Sequence, residues 1–144
     1  MVEIMSQKKS ILCINAQAES QESVRNKVKE CEKNGEDRVF VYQFSADEIE
    51  RESFILFIRE LTESVDISVY AGCYVNRLED VKKVYYAGAK KVVLVKEYLA
   101  DEAVIEQADI KFGADAVLVG TAIWKAKDPF GFYRYLTEGK GCVQ

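Results

Sequence analysis

The residues able to bind or transfer something sit where short β-prone runs give way to turns. Ala71-Gly72-Cys73 follows the run 67–70, and Asn76 comes three residues after Cys73. A glycine there permits a tight turn or a close backbone approach, and the N–H groups that open a following helix attract an anion. Gly120-Thr121-Ala122 repeats the device after the run 116–119 and adds a hydroxyl donor. Lys96 ends another such run, placed either to face an anionic group or to pair on the surface with its neighbour Glu97. The implied chemistry is the seating of a phosphate by Gly72, Cys73, Asn76, Lys96, Gly120 and Thr121. The plainer reading is that both glycines only allow tight strand-to-helix turns. Cys13 and Cys73, near strand ends, read as buried spacers.

Acid–base chemistry is poorly supplied. The chain has no histidine, which removes the commonest general base and metal ligand and excludes a Ser–His triad. Neither Gly-x-Gly-x-x-Gly nor Gly-x-x-x-x-Gly-Lys-Ser/Thr occurs, so nucleotide folds with those signatures are disfavoured. Four cysteines, Cys13, Cys31, Cys73 and Cys142, are widely separated with no Cys-x-x-Cys pair. We therefore expect reduced thiols, a cytoplasmic setting, no metal site and no cofactor.

Elements that would position these residues follow from periodicity. Ser20 precedes a helix of about Gln21 to Lys33, with Val24, Val28 and Cys31 on one face and Asn34-Gly35 as its stop. Ser45-Ala46-Asp47-Glu48 reads as a capping box opening a longer helix through Ser64, striped by Phe54, Phe57, Ile58, Leu61 and Val65. Asn76 reads as the next N-cap, with Glu79 bonding back to it and Leu78, Val81 and Tyr85 forming the apolar face. A fourth helix spans 101–112, ended by Gly113, and Asp128-Pro129 could begin a short final one. Strand starts near residues 11, 39, 67, 92 and 117 recur every 25 to 28 residues.

Five strands alternating with helices imply a parallel sheet covered by helices. Two architectures fit. One is a (βα)5 half-barrel of TIM-barrel type, completed by association because closure takes eight strands. The other is a five-stranded flavodoxin-like open parallel sheet. In both, chemistry belongs at the carboxyl ends of the strands. Residues 1–144 read as a single domain with 1–9 as a loose leader, whose start lacks the apolar run of a secretory signal. With 20 basic and 24 acidic residues, net charge −4, no nucleic-acid surface is expected, and no apolar stretch suits a membrane span. Trp124, Phe130, Phe132, Tyr133 and Tyr135 form either an assembly surface or a terminal helix folded onto its own sheet.

The segment 71–94, Ala-Gly-Cys-Tyr-Val-Asn-Arg-Leu-Glu-Asp through Ala-Gly-Ala-Lys-Lys-Val-Val-Leu, resembles two related histidine-biosynthesis (βα)8 barrels. These are the phosphoribosylformimino-aminoimidazole-carboxamide-ribotide isomerase and the cyclase subunit of imidazole glycerol phosphate synthase, and the likeness is to their third and fourth units. Residues 118–129 resemble the last phosphate-binding unit of phosphosugar barrels. The resemblance implies an aspartate at the end of the first strand and another at the end of the fifth; this chain has Asn15 and Ala122 there. The family's glycine triplet is reduced to Gly72 with Cys73 and Tyr74 beside it. An amide cannot exchange a proton as a carboxylate does.

The reading is thus a non-catalytic or accessory histidine-biosynthesis-type module, inactive as an isomerase on its own. It would bind a phosphorylated ribose-like ligand and associate as a homo-oligomer or with a partner that completes the sheet. The alternatives are a phosphoribosyl isomerase or other phosphosugar enzyme rebuilt around Lys96, Glu97 or a partner chain, and a flavodoxin-like interaction domain.

Overall fold

The computed structural model describes residues 11–113 and 117–120. Within them, strands β1 (Leu12–Asn15), β2 (Arg38–Gln43), β3 (Ser68–Cys73), β4 (Lys91–Val95) and β5 (Val117–Gly120) alternate with helices α1 (Gln21–Lys33), α2 (Glu48–Ser64), α3 (Leu78–Tyr86) and α4 (Ala103–Phe112). A 3-10 turn, Lys96–Tyr98, follows β4. All neighbouring strands are parallel, and they lie in the order β1-β2-β3-β4-β5.

That order decides between the two architectures. A flavodoxin-like sheet reverses its strand order at a switch point and carries helices on both faces. Here the order never reverses. The large core cluster joins the four helices to one face of the sheet. It takes Val24, Val28 and Cys31 from α1, Phe54 to Leu61 from α2, Val81 and Val84 from α3, and Val104 and Ala108 from α4. A separate cluster on the opposite face, Ile11, Phe40, Phe44, Tyr70, Val93 and Val95, draws nothing from α1–α4. Among the described residues, one layer of helices outside and an inner face that takes nothing from α1–α4 make a (βα)5 half-barrel of TIM-barrel type, and the flavodoxin-like reading is set aside.

Strands buried on both faces read as continuous apolar runs, as in Val92, Val93, Leu94 and Val95, each at most 1% exposed. Each such side chain contributes on the order of 1.5–3 kcal/mol by leaving water. Glycines set three of the returns to the sheet: Gly35, Gly88 and Gly113 have φ of +86°, +109° and +87°. That is the left-handed side of φ, where side chains are strained.

Local details depart from the sequence reading in four places. The cap of α2 is Asp47, whose carboxylate accepts the Glu50 N–H at 2.9 Å, because the helix starts at Glu48 and not at Ser45. Ala71-Gly72-Cys73 is not a turn; it is the buried end of β3. The cap of α3 is Arg77 rather than Asn76, and Asp80 rather than Glu79 reaches back, accepting the N–H groups of Asn76 at 2.8 Å and Arg77 at 3.3 Å. Finally, α4 starts at Ala103, since the 101 carboxylate accepts the Ala103 N–H at 2.9 Å just ahead of it. The leader 1–9, Thr121, Ala122 and the aromatic segment 124–135 lie outside the described residues.

Candidate functional site

Register carries the candidate residues to one end of the inner face. Asn15 pairs with Tyr42, Tyr42 with Gly72, Gly72 with Val93 and Val93 with Leu118, so these five form one rung across the sheet. Gly120 pairs with Val95 two rungs nearer the carboxyl ends. The sheet therefore brings Asn15, Gly72 and Gly120 onto one face, with Tyr42 between the first two.

Asn15 and Gly72 are each fixed by their surroundings. The Asn15 Oδ1 accepts the Gln17 N–H at 2.9 Å, and its carbonyl accepts the Ala18 N–H at 3.1 Å, making a closed local turn. On the neighbouring strand, the buried Gln43 donates its Nε2 to the Glu50 carbonyl at 3.1 Å and accepts the Ser45 N–H at 2.6 Å. A Cβ on Gly72 would stand 3.2 Å from Phe40 Cε1 and Cζ and 3.2 Å from Phe44 Cζ. The glycine thus leaves room for two rings.

Those rings belong to a column that the sequence reading missed. Phe40 and Tyr42 stack at 5.1 Å, Tyr42 and Phe44 at 5.4 Å, and Phe44 and Tyr98 at 4.4 Å with their planes only 7° apart. The signal was present: aromatics at 40, 42 and 44 alternate with period two, the spacing of one strand face.

The loop after β3 is strapped to the segment after β4. Val75 donates its N–H to the Tyr98 carbonyl at 3.0 Å and accepts the Ala100 N–H at 2.9 Å. This sets exposed Asn76 and half-buried Lys96 at the same end of the sheet. Cys73, in contrast, is buried among the helices, 1% exposed. It packs on the other face from Gly72, so its side chain does not join that rung. A cleft of about 330 Å³ opens beside this end between α1 and α2, lined by Ala16, Gln17, Gln21, Gln43 and Glu50 among others.

Electrostatics leave the rung without an acid–base group near neutral pH. Burial pushes the Cys13 thiol up to about 12. The Tyr42 phenol is also pushed up to about 12, by burial first and then by its neighbours Cys13 and Tyr98. The Cys73 thiol is raised to about 12 by burial and by Asp80, with Arg51 opposing. None of the inner-face strand residues from β1 to β4 is a carboxylate. Among the described residues no three His, Cys, Asp or Glu side chains converge as a metal site would require, and no helix is long and apolar enough to cross a membrane.

Comparison with known proteins agrees with this geometry. Imidazole glycerol phosphate synthase subunit HisF of Streptococcus gordonii is 28% identical over 106 residues, which cover 74% of this chain and 42% of that protein. The same subunit of Endomicrobium trichonymphae is 28% identical over 91 residues, covering 63% and 35%. The chain spans less than half the length of these relatives. Among solved structures, Xanthomonas albilineans dihydropteroate synthase superposes with a TM-score of 0.54 at 15% identity, over 81% of this chain and 48% of that one. At that identity the likeness concerns the fold alone. The family model described as "Histidine biosynthesis protein" matches residues 10–139, and the chain belongs to that family.

Proposed function

We propose that this chain is a non-catalytic or accessory five-unit module of its family, one that binds a phosphorylated, ribose-like ligand at the carboxyl ends of its strands. The observation that carries the proposal is the rung Asn15–Tyr42–Gly72, which has an amide where a proton-transfer carboxylate would be needed. The Asn15 Oδ1 already accepts a backbone N–H. The phosphoryl group would be held at the strand ends, by Gly72 and Cys73 at the end of β3, Gly120 at the end of β5, and Asn76, Lys96 and Thr121 beyond them in the chain. The relatives' name, a subunit of imidazole glycerol phosphate synthase, supports both a phosphate ester as ligand and association with another chain.

Association is the second half of the proposal. Among the described residues β1 pairs only with β2, and β5 only with β4, so both borders of the sheet are open to a second copy or a partner. Three described cysteines are all free, which fits a reducing, cytoplasmic setting.

Ribose 5-phosphate is the probe that tests the ligand. Calorimetry on the purified chain is expected to show binding, and an isomerisation assay on an aminoaldose phosphate is expected to show no turnover. Turnover that disappears in Lys96→Ala would instead establish the phosphosugar-enzyme reading. Sedimentation is expected to find a dimer or a larger assembly.

A further inference from the structure

The sheet face that points away from α1–α4 is as dry as a core, although none of those helices lies over it. Phe40 and Val95 are 0% exposed and Val93 1%. The described side chains packed with them come from the strands, their immediate ends and the turn after β4. Neighbours in one sheet shield the flanks of a side chain, whereas its tip is dried by a second layer. Strands β1 to β5 are three short of the eight that close a barrel, so the described residues lack a full opposite wall. These exposures belong to a single chain, so a second copy is not what dries the face.

Where the chain joins and leaves the sheet limits what that layer can be. All five strands are parallel, so residues before Ile11 enter at the amino ends and residues after Gly120 leave from the carboxyl ends. Phe44 follows β2 directly and Tyr98 ends the turn after β4, so their stacked rings lie at the carboxyl ends too. Residues 1–10 contain no aromatic side chain. The 24 residues after Gly120 hold Trp124, Phe130, Phe132, Tyr133 and Tyr135. Length is sufficient as well. Five strands span roughly 19 Å, and the fifteen residues from Thr121 to Tyr135 reach about 22 Å even at the helical rise, the shortest regular one. Rings bury more apolar area than other side chains and pair favourably with rings, and the face presents a column of four.

We propose that the inner face is the docking surface for the chain's own segment after β5, with aromatic side chains between Trp124 and Tyr135 seated on the Phe40–Phe44–Tyr98 column. The module then completes its inner core without three further βα units. Its aromatic cluster is an internal surface and not one for assembly, and other chains meet the borders at β1 and β5. The inference does not rest on the ligand reading, and ribose 5-phosphate binding neither supports nor weakens it.

Nuclear Overhauser contacts in the full, isotope-labelled chain test it. Contacts are expected from the rings of the segment 124–135 to Phe44, Tyr98, Val93 or Val95. In a mixture of labelled and unlabelled chain they should arise within one chain. Contacts found only between chains would assign the face to a second copy and overturn the proposal, as would no contact at all. Trp124, the chain's single tryptophan, gives a second reading. Its emission should be blue-shifted, and acrylamide should quench it several-fold less than in urea-unfolded chain. Quenching equal to that of the unfolded chain, or protection without the ring contacts, also overturns the proposal.

Discussion

Gly72→Ala is the substitution that separates a packing role for this glycine from a ligand role. The added methyl would sit 3.2 Å from three ring carbons, two on Phe40 and one on Phe44. That is a few tenths of an ångström inside ordinary contact, so one ring must move. Phe40 is fully buried and stacked on Tyr42, while Phe44 is stacked face to face on Tyr98, so neither ring has an easy direction in which to yield. Overpacking of this kind costs about 1–3 kcal/mol. For a domain of this size that is a fall in Tm of roughly 3–10 °C. Thermal and urea unfolding of Gly72→Ala, Phe40→Leu and the double variant form a cycle. Leucine in place of the ring opens space for the methyl, so the double variant should be more stable than the two single losses together imply, by about 0.5–2 kcal/mol. A Gly72→Ala chain within about 0.5 kcal/mol of wild type would refute the packing account, because surface-like changes have that size. If the same chain also lost affinity for ribose 5-phosphate, the glycine would be there for the ligand and not for the rings.

Gly88→Ala and Gly35→Ala both force alanine into positive φ, at +109° and +86°, but only at position 88 would the new Cβ meet an atom, clashing with Thr62 Oγ1. Both should lose about 1–2 kcal/mol to backbone strain; Gly88→Ala should lose about 1 kcal/mol more in urea unfolding, since the bond from Thr62 Oγ1 to the Ala87 carbonyl, 2.7 Å, must break or shift. Equal losses would show that the helix can simply slide aside. Alkaline unfolding tests the buried thiols. Cys13 and Cys73 stay protonated in the fold to about pH 12, against 9.0 when free. Below pH 9 both states hold the proton. Above it the unfolded chain loses the proton first, so stability should fall steadily from pH 9 towards 12. Cys13→Ala and Cys73→Ala chains should each flatten that slope, and an unchanged slope would mean that other groups carry it.

The sequence showed those parts of the fold that depend on neighbours in the chain. The bounds of α1 follow from Ser20 ahead of an apolar stripe and Asn34-Gly35 behind it, and the structure has Gln21–Lys33 with the Ser23 N–H on Ser20 Oγ at 3.1 Å. Strand order was not legible, since periodicity is the same in a half-barrel and in an open doubly wound sheet. It is fixed by which strands pair, a long-range fact. At residues 76–80 the reading failed because Glu79 and Asp80 are both acidic and adjacent, and only the helix phase decides which one points back. Gly72 was misplaced for a related reason: glycine marks turns and also marks strand positions crowded by a neighbouring ring. The partner rings, at 40 and 44, lie about thirty residues away in the chain, beyond any local pattern.

The inner face shows why the phosphate site proposed above would not need an acid–base site beside it. Carboxylates on strand ends project into the space that Tyr42, Phe44 and Tyr98 fill here with stacked rings. Desolvation in such a place already raises the Tyr42 phenol to about 12. It would also raise a carboxylate set beside it, disfavouring the charged form that a general base requires. Backbone N–H groups at the start of α3 are a different kind of donor. They lie in the loop beyond the rings, depend on helix geometry and not on a titrating side chain, and survive any change of inner-face residues that preserves the helix. Aromatic filling of the floor therefore removes proton transfer first.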